Sequence, residues 1–338
     1  MKLKSAAGLF AAFASMFSPI LARAEFPAKV FAPYMYIGSD DHFKLTDCDD
    51  ACGLKFYTVA FFIARQERKT DPSKPGGKAQ FTYSKEPSWD GNTPMDKNLY
   101  ADQIDAIRQR GGDVIASFGG EAGREMAIIE TDPAALASEY QSVIDKYKFT
   151  WLDFDIEGDN LDKNAEASQR RNAVLAQLQK KNPGLIISYT LPVDPDGISD
   201  ASQALLADAA AKGVKVHSAN LMVMFFGKQF INKGKSEGEL GTDSANKAHE
   251  QIQKIDPNIQ VGLCPCLGPN GSKAEVFDLD DAKTIVDFAE KTPWVCSLHY
   301  WSINDDAARP PKRKGATSQP AKQPWAFARI FMPFTSAK

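Results

Sequence analysis

The chain has 338 residues, 43% hydrophobic and 25% charged, enough to bury one large α/β barrel or two ordinary domains. A formal net charge of −3 argues against electrostatic affinity for nucleic acid. No low-complexity tract or short-period repeat is present, which sets aside disordered and solenoid architectures.

The N-terminus patterns as a secretion signal. Lys2 and Lys4 form a positive region, Ser5 to Leu21 is apolar, and Ala22-Arg23-Ala24 places small residues where a signal peptidase reads. The stretch is short for a membrane span of roughly 20 apolar residues. Cleavage after Ala24, export and the lack of a membrane partner are therefore the expectations.

Short apolar runs then predict strands at Val30–Ile37, Lys55–Ile63, Asp113–Phe118, Thr150–Ile156, Leu185–Leu191, Ser218–Phe226, Ile259–Cys264 and Val295–Ile303. Helical periodicity falls at Tyr100–Arg110, Pro133–Tyr147, Asn164–Lys181, Ser199–Lys212, Ser244–Ile255, Leu279–Lys291 and Gln323–Phe331, with a weak signal over Asp40–Gly53. Eight strands interleaved with helices over roughly 300 residues fit an α/β fold of one domain, a (β/α)8 TIM barrel over residues 25–338. An open doubly wound sheet is the alternative, but no Gly-rich dinucleotide turn follows the first strand. Chemistry in such a barrel sits where the strands end. Three long loops are expected on that face, at about Gln66–Asn98, Gly227–Thr242 and Asp305–Lys322, as substrate walls or lids. The run Pro310-Pro311-Lys312-Arg313-Lys314 in the last of them reads as a solvated, Pro-stiffened loop.

Five cysteines, Cys48, Cys52, Cys264, Cys266 and Cys296, are too few and too scattered for a disulfide scaffold. Cys48 and Cys52 frame a short polar loop in which a local disulfide can form, whereas Cys264 and Cys266 stand too close for an unstrained bridge. No histidine lies at ligand spacing from either pair, so neither a metal nor another cofactor is expected.

The informative segment is Trp151-Leu152-Asp153-Phe154-Asp155-Ile156-Glu157-Gly158. Alternation sends Leu152, Phe154 and Ile156 toward the helices, and Trp151, Asp153, Asp155 and Glu157 into the barrel. Buried carboxylates lose hydration and repel one another, so at least one must hold a proton. Carboxylates can also bind calcium or magnesium, but collinear acids on one strand surround an ion poorly. Crowding that raises the outermost acid suits a general acid, which points to Glu157.

These residues resemble the signature strand of family 18 glycoside hydrolases, Asp-x-Asp-x-Glu at the end of the fourth barrel strand. Ser117-Phe118-Gly119-Gly120 is similar to that family's Ser-x-Gly-Gly, and Ser188-Tyr189-Thr190-Leu191-Pro192 and Tyr300-Trp301-Ser302-Ile303-Asn304 match in order and spacing. The likeness is greatest to the bacterial and archaeal chitinases that carry Asp-Phe-Asp-Ile-Glu. It implies a retaining mechanism in which Glu157 protonates the glycosidic oxygen and the substrate's own acetamide attacks. Asp155 would orient that acetamide, Asp153 would hold Asp155, and Trp301 would floor the sugar. Tyr36, Phe118, Trp89, Met222, Met224 and Phe225 are the other expected substrate contacts. The implied partner is chitin or an N-acetylglucosamine oligosaccharide, bound by a monomer.

Two departures stand out. Phe225 occupies the place of an expected Asp on the sixth strand, where an apolar ring would desolvate Glu157. Thr150 and Trp151 replace the Asp and Gly that normally precede the acid row. A chitin-binding lectin on the same barrel, and an endo-β-N-acetylglucosaminidase acting on N-glycans, are the competing readings.

Overall fold

The computed structural model describes residues 25–37, 44–69, 80–97, 99–231, 234–271, 275–307 and 323–336. The segment read as a secretion signal and the basic stretch within 308–322 lie outside the described residues. In chain order the strands are β1 (Val30–Phe31), β2 (Tyr34–Tyr36), β3 (Phe56–Lys69), β4 (Gln80–Trp89), β5 (Thr93–Pro94), β6 (Asp113–Gly119) and β7 (Trp151–Asp155). There follow β8 (Ile186–Asp194), β9 (Gly197–Ile198), β10 (Val216–Met222), β11 (Gln260–Leu263), β12 (Gly268–Pro269), β13 (Val276–Phe277) and β14 (Val295–Leu298).

β1 pairs in parallel with β14, and β2, the next piece of the same run, pairs in parallel with β3. The parallel ladder then continues through β6, β7, β8, β10 and β11 back to β14. Counting β1 and β2 as one, eight strands close on themselves: the expected (β/α)8 barrel.

Outward side chains such as Val59, Ala116, Leu152, Phe154, Ile187 and Leu221 join the helices in one continuous apolar cluster. Full burial of each large side chain stabilises by about 1.5–3 kcal/mol. Inside the barrel, Val30, Ala32, Phe56, Ile115 and Trp151 fill the layer at the strands' N-terminal end.

Several helices begin at a side-chain cap. Asp132 accepts from the backbone N–H of Ala134 at 2.8 Å, with Pro133 at the first helical position. Ser236 and Glu239 make a capping box that starts the helix Glu237–Ile255 well before the apolar periodicity at Ser244.

Two loop expectations are corrected. Gln66–Asn98 contains a hairpin, because β3 runs on to Lys69 and pairs antiparallel with β4, which carries β5 at its edge. Gly227–Thr242 holds the short helix Lys228–Ile231 and the first turns of Glu237–Ile255. Cys48 and Cys52 sit on one turn of the helix Leu45–Cys52 rather than on a loop, their free Sγ atoms 3.2 Å apart.

Candidate active site

β7 carries the acid row up the barrel wall. At its base the Trp151 indole donates to Ser188 Oγ at 2.9 Å. One layer higher, register places Ser117 and Ser188 level with Asp153 on either side. Tyr34 Oη and Ser117 Oγ donate to Asp153 Oδ2, both at 2.8 Å. Ser188 Oγ at 2.8 Å, Thr190 Oγ1 at 2.9 Å and Asn220 Nδ2 at 3.3 Å donate to Oδ1. Five donors compensate a carboxylate that has lost its water. Burial raises its pKa and these hydroxyls oppose the rise. Asp153 was expected to hold Asp155. Its oxygens are instead committed to this network, and its effect on Asp155 is one of charge.

Asp155 is buried with its Oδ1 unpartnered. Burial first, then the charges of Glu157 and Asp153, raise its pKa well above the usual carboxylate range. Glu157 follows at the strand end, half-buried, as the N-cap residue of the short helix Gly158–Asp162, and its side chain makes no cap hydrogen bond. The carboxyl is instead engaged with that of Asp155. Burial and the charge of Glu121 push it up to about 7. Asp155 and Glu157 interact directly, so the pair holds a proton into neutral pH.

The turn after β6 is built around these acids. Gly119 is level with Asp155, and a Cβ there would lie 2.1 Å from the Asp155 carbonyl oxygen. The Gly120 N–H donates to that same oxygen at 3.0 Å, and a Cβ on Gly120 would meet the Phe61 ring at 2.7 Å. Both glycines have positive φ. Asn160 Nδ2, on the Glu157 helix, donates to the carbonyls of Gly120 at 3.1 Å and Gly123 at 3.0 Å, tying this turn to the acid.

An apolar wall faces the acid row. Trp301, partly exposed, stacks on Phe61 with centroids 5.6 Å apart and 16° between planes, and its ring meets Tyr34 and Tyr36. Met224 and the buried Cys264 belong to the same cluster. Tyr36 Oη donates to Asp90 at 3.0 Å, and its backbone is held by Asn304.

The structure therefore brings Glu157, Asp155, Asp153, Trp301, Tyr36 and Met224 together, with Met222 half-buried at the end of β10. Phe118 and Trp89 stand elsewhere. Phe118 follows the inward Ser117, so alternation turns it outward, wholly buried against Phe154 and Tyr140. Trp89, 1% exposed, packs on Phe62 and donates its indole N–H to Tyr147 Oη at 2.7 Å. Phe225 is 57% exposed at φ +56°, so it shields nothing from water as a packed ring would. Sequence reading missed Tyr34, Phe61, Asn220 and Glu121, and gave Ser188 and Thr190 no role beyond their motif. Strand alternation could have placed Tyr34, Ser188, Thr190 and Asn220, whereas Phe61 faces inward only because the register shifts between Ala60 and Phe62, and the place of Glu121 depends on the Gly119–Gly120 turn. Among the described residues no group of three or more His, Cys, Asp or Glu is placed to hold a metal ion.

No family model matches the chain. It is 28% identical over 335 residues to a probable bifunctional chitinase/lysozyme of Escherichia coli K12, covering 91% of this chain. It is also 28% identical over 296 residues to Endochitinase 11 of Metarhizium anisopliae, covering 83%. The catalytic domain of a hyperthermophilic chitinase from Pyrococcus furiosus aligns with 93% of this chain and 97% of its own, at a TM-score of 0.76 and 28% identity. The chain is thus similar in sequence and fold to chitinases. It spans 35% of the Escherichia coli relative's length and 53% of the Metarhizium one's.

Proposed function

We propose that the chain is a chitinase-like glycoside hydrolase that cuts β-1,4 linkages between N-acetylglucosamine units by a substrate-assisted, retaining mechanism. The observation that carries this reading is the gradation along β7: a fully hydrogen-bonded Asp153, an Asp155 with a free oxygen, and a Glu157 raised to about 7 at the mouth.

A general acid needs a pKa near its working pH, and burial that raises Glu157 to about 7 suits one acting near neutral pH. Glu157 transfers its proton to the glycosidic oxygen as the C1–O bond breaks. The carbonyl oxygen of the same sugar's 2-acetamido group bonds to C1 and closes an oxazolinium ring. Asp155 accepts from the acetamide N–H and balances the positive charge in a site shielded from water. Glu157, now ionised, takes a proton from water as its oxygen attacks C1 and reopens the ring, so the configuration is retained. Trp301 floors the sugar with its exposed face.

The chain acts as an exported monomer in this reading. Its export rests on the pattern of residues 1–24.

Proton NMR of the first products from a soluble N-acetylglucosamine oligomer tests the mechanism. β-Anomers should form first and mutarotate later. Initial α-anomers would rule out retention, and no cleavage at all would favour the lectin reading.

A further inference from the structure

At the end of β10 the chain makes an expensive turn. Met224, like Trp301, packs against the buried cluster that includes Tyr34, Phe61 and Cys264. The next residue, Phe225, adopts φ +56°, a left-handed conformation unfavourable for a side chain with a Cβ. The turn is pinned from below. Phe226 is buried, and the Gly227 N–H donates at 2.7 Å to Oε1 of Glu275, itself buried. Gly271, on the loop after β11, lies beside the ring, where an added Cβ would stand 3.4 Å from Phe225 Cδ1.

Strain and buried anchors that hold an aromatic ring in water need a reason, because inward packing would stabilise the fold more. Phe81, Leu99 and Val276 are the other exposed large hydrophobics among the described residues. Phe225 alone of these directly follows Met224, which packs on the same cluster as Trp301, and so stands exposed at the rim of the site.

We infer that Phe225 is a stacking platform for the pyranose ring next to the one on which Glu157 acts, and that it sets a preference for longer chains. A β-linked N-acetylglucosamine ring carries its substituents equatorially, so its faces present C–H bonds that pack on an aromatic ring. The inference rests on the proposed function.

Its test compares kcat/KM for a chitin hexamer with that for a chromogenic N-acetylglucosamine dimer, in the wild type, Phe225→Ala and Phe225→Trp. Phe225→Ala should lower the hexamer-to-dimer ratio about tenfold, mainly through KM, the size of one stacking contact. Phe225→Trp should restore it. An unchanged ratio in Phe225→Ala, or a Trp variant that behaves like Ala, would overturn the platform while leaving the hydrolase reading intact. If the wild type cleaves neither substrate, the hydrolase reading fails. Calorimetric binding of the hexamer to Glu157→Gln, with and without Phe225→Ala, then decides the platform: about tenfold weaker binding supports it and equal binding overturns it.

Discussion

Asp153 and Asp155 are neighbours on one strand face, and burial raises the pKa of both, yet their surroundings differ. Asp153 collects five donors that oppose the rise, whereas Asp155 keeps an unpartnered oxygen and is raised further by the charges of Glu157 and Asp153. The unsatisfied group is the costly one to keep, as expected where function requires a free acceptor. Glu121 adds an exposed like charge beside the acid. In the proposed reaction Glu157 donates only while protonated, so activity should fall as pH rises through about 7. Glu121→Gln removes a charge that raises that pKa, so the alkaline limb of kcat/KM should move to lower pH. Solvent screening limits the move to the order of half a pH unit. A limb that stays in place, or moves up, would show that burial alone sets the acid. At this scale the sequence was readable where alternation governs, as with Asp153, Asp155 and Glu157 on one face. It misled where residue type stood in for direction: Phe118 and Trp89 are aromatic and lie near strand ends, but their side chains point into the helical layer.

Elements place these groups through register rather than through contacts of their own. Ser117, Asp153 and Ser188 share one level, and Gly119, Asp155 and Thr190 share the next. The glycine is required because its neighbour's carbonyl occupies the space a Cβ would fill and because φ there is +106°. Gly119→Ala should therefore cost a few kcal/mol of stability and displace Asp155. Thermal melting should show a drop of several degrees, with kcat falling more than KM changes. A variant with wild-type melting and kcat would mean that the turn is not what positions the acid. The hairpin β3–β4 was not legible in the sequence because its Gly, Pro and Lys content reads as loop. Strand pairing with the extended end of β3 overrides that local preference. By contrast, Pro133–Tyr147 and Leu279–Lys291 were legible to the residue, since each has an N-cap Asp beside a clear apolar period.

Across the molecule, closure of the barrel turns a linear row of acids into an enclosed site. β14 brings Trp301 and its neighbours around to face β7, and β1 and β2 between them seal the ring and deliver Tyr34 to Asp153. Closure was legible as eight alternating βα units, but the polar middle layer was not, because it assembles from single residues on several strands. In the proposed reaction Glu157 is the proton donor of this enclosure. The direct measurement is turnover and binding of a chitin oligosaccharide by Glu157→Gln, which keeps the shape of the side chain and cannot donate the acid's proton. Turnover should fall by at least about two orders of magnitude while the oligosaccharide still binds, as for loss of a general acid. A variant that binds and cleaves at near the wild-type rate would contradict the account.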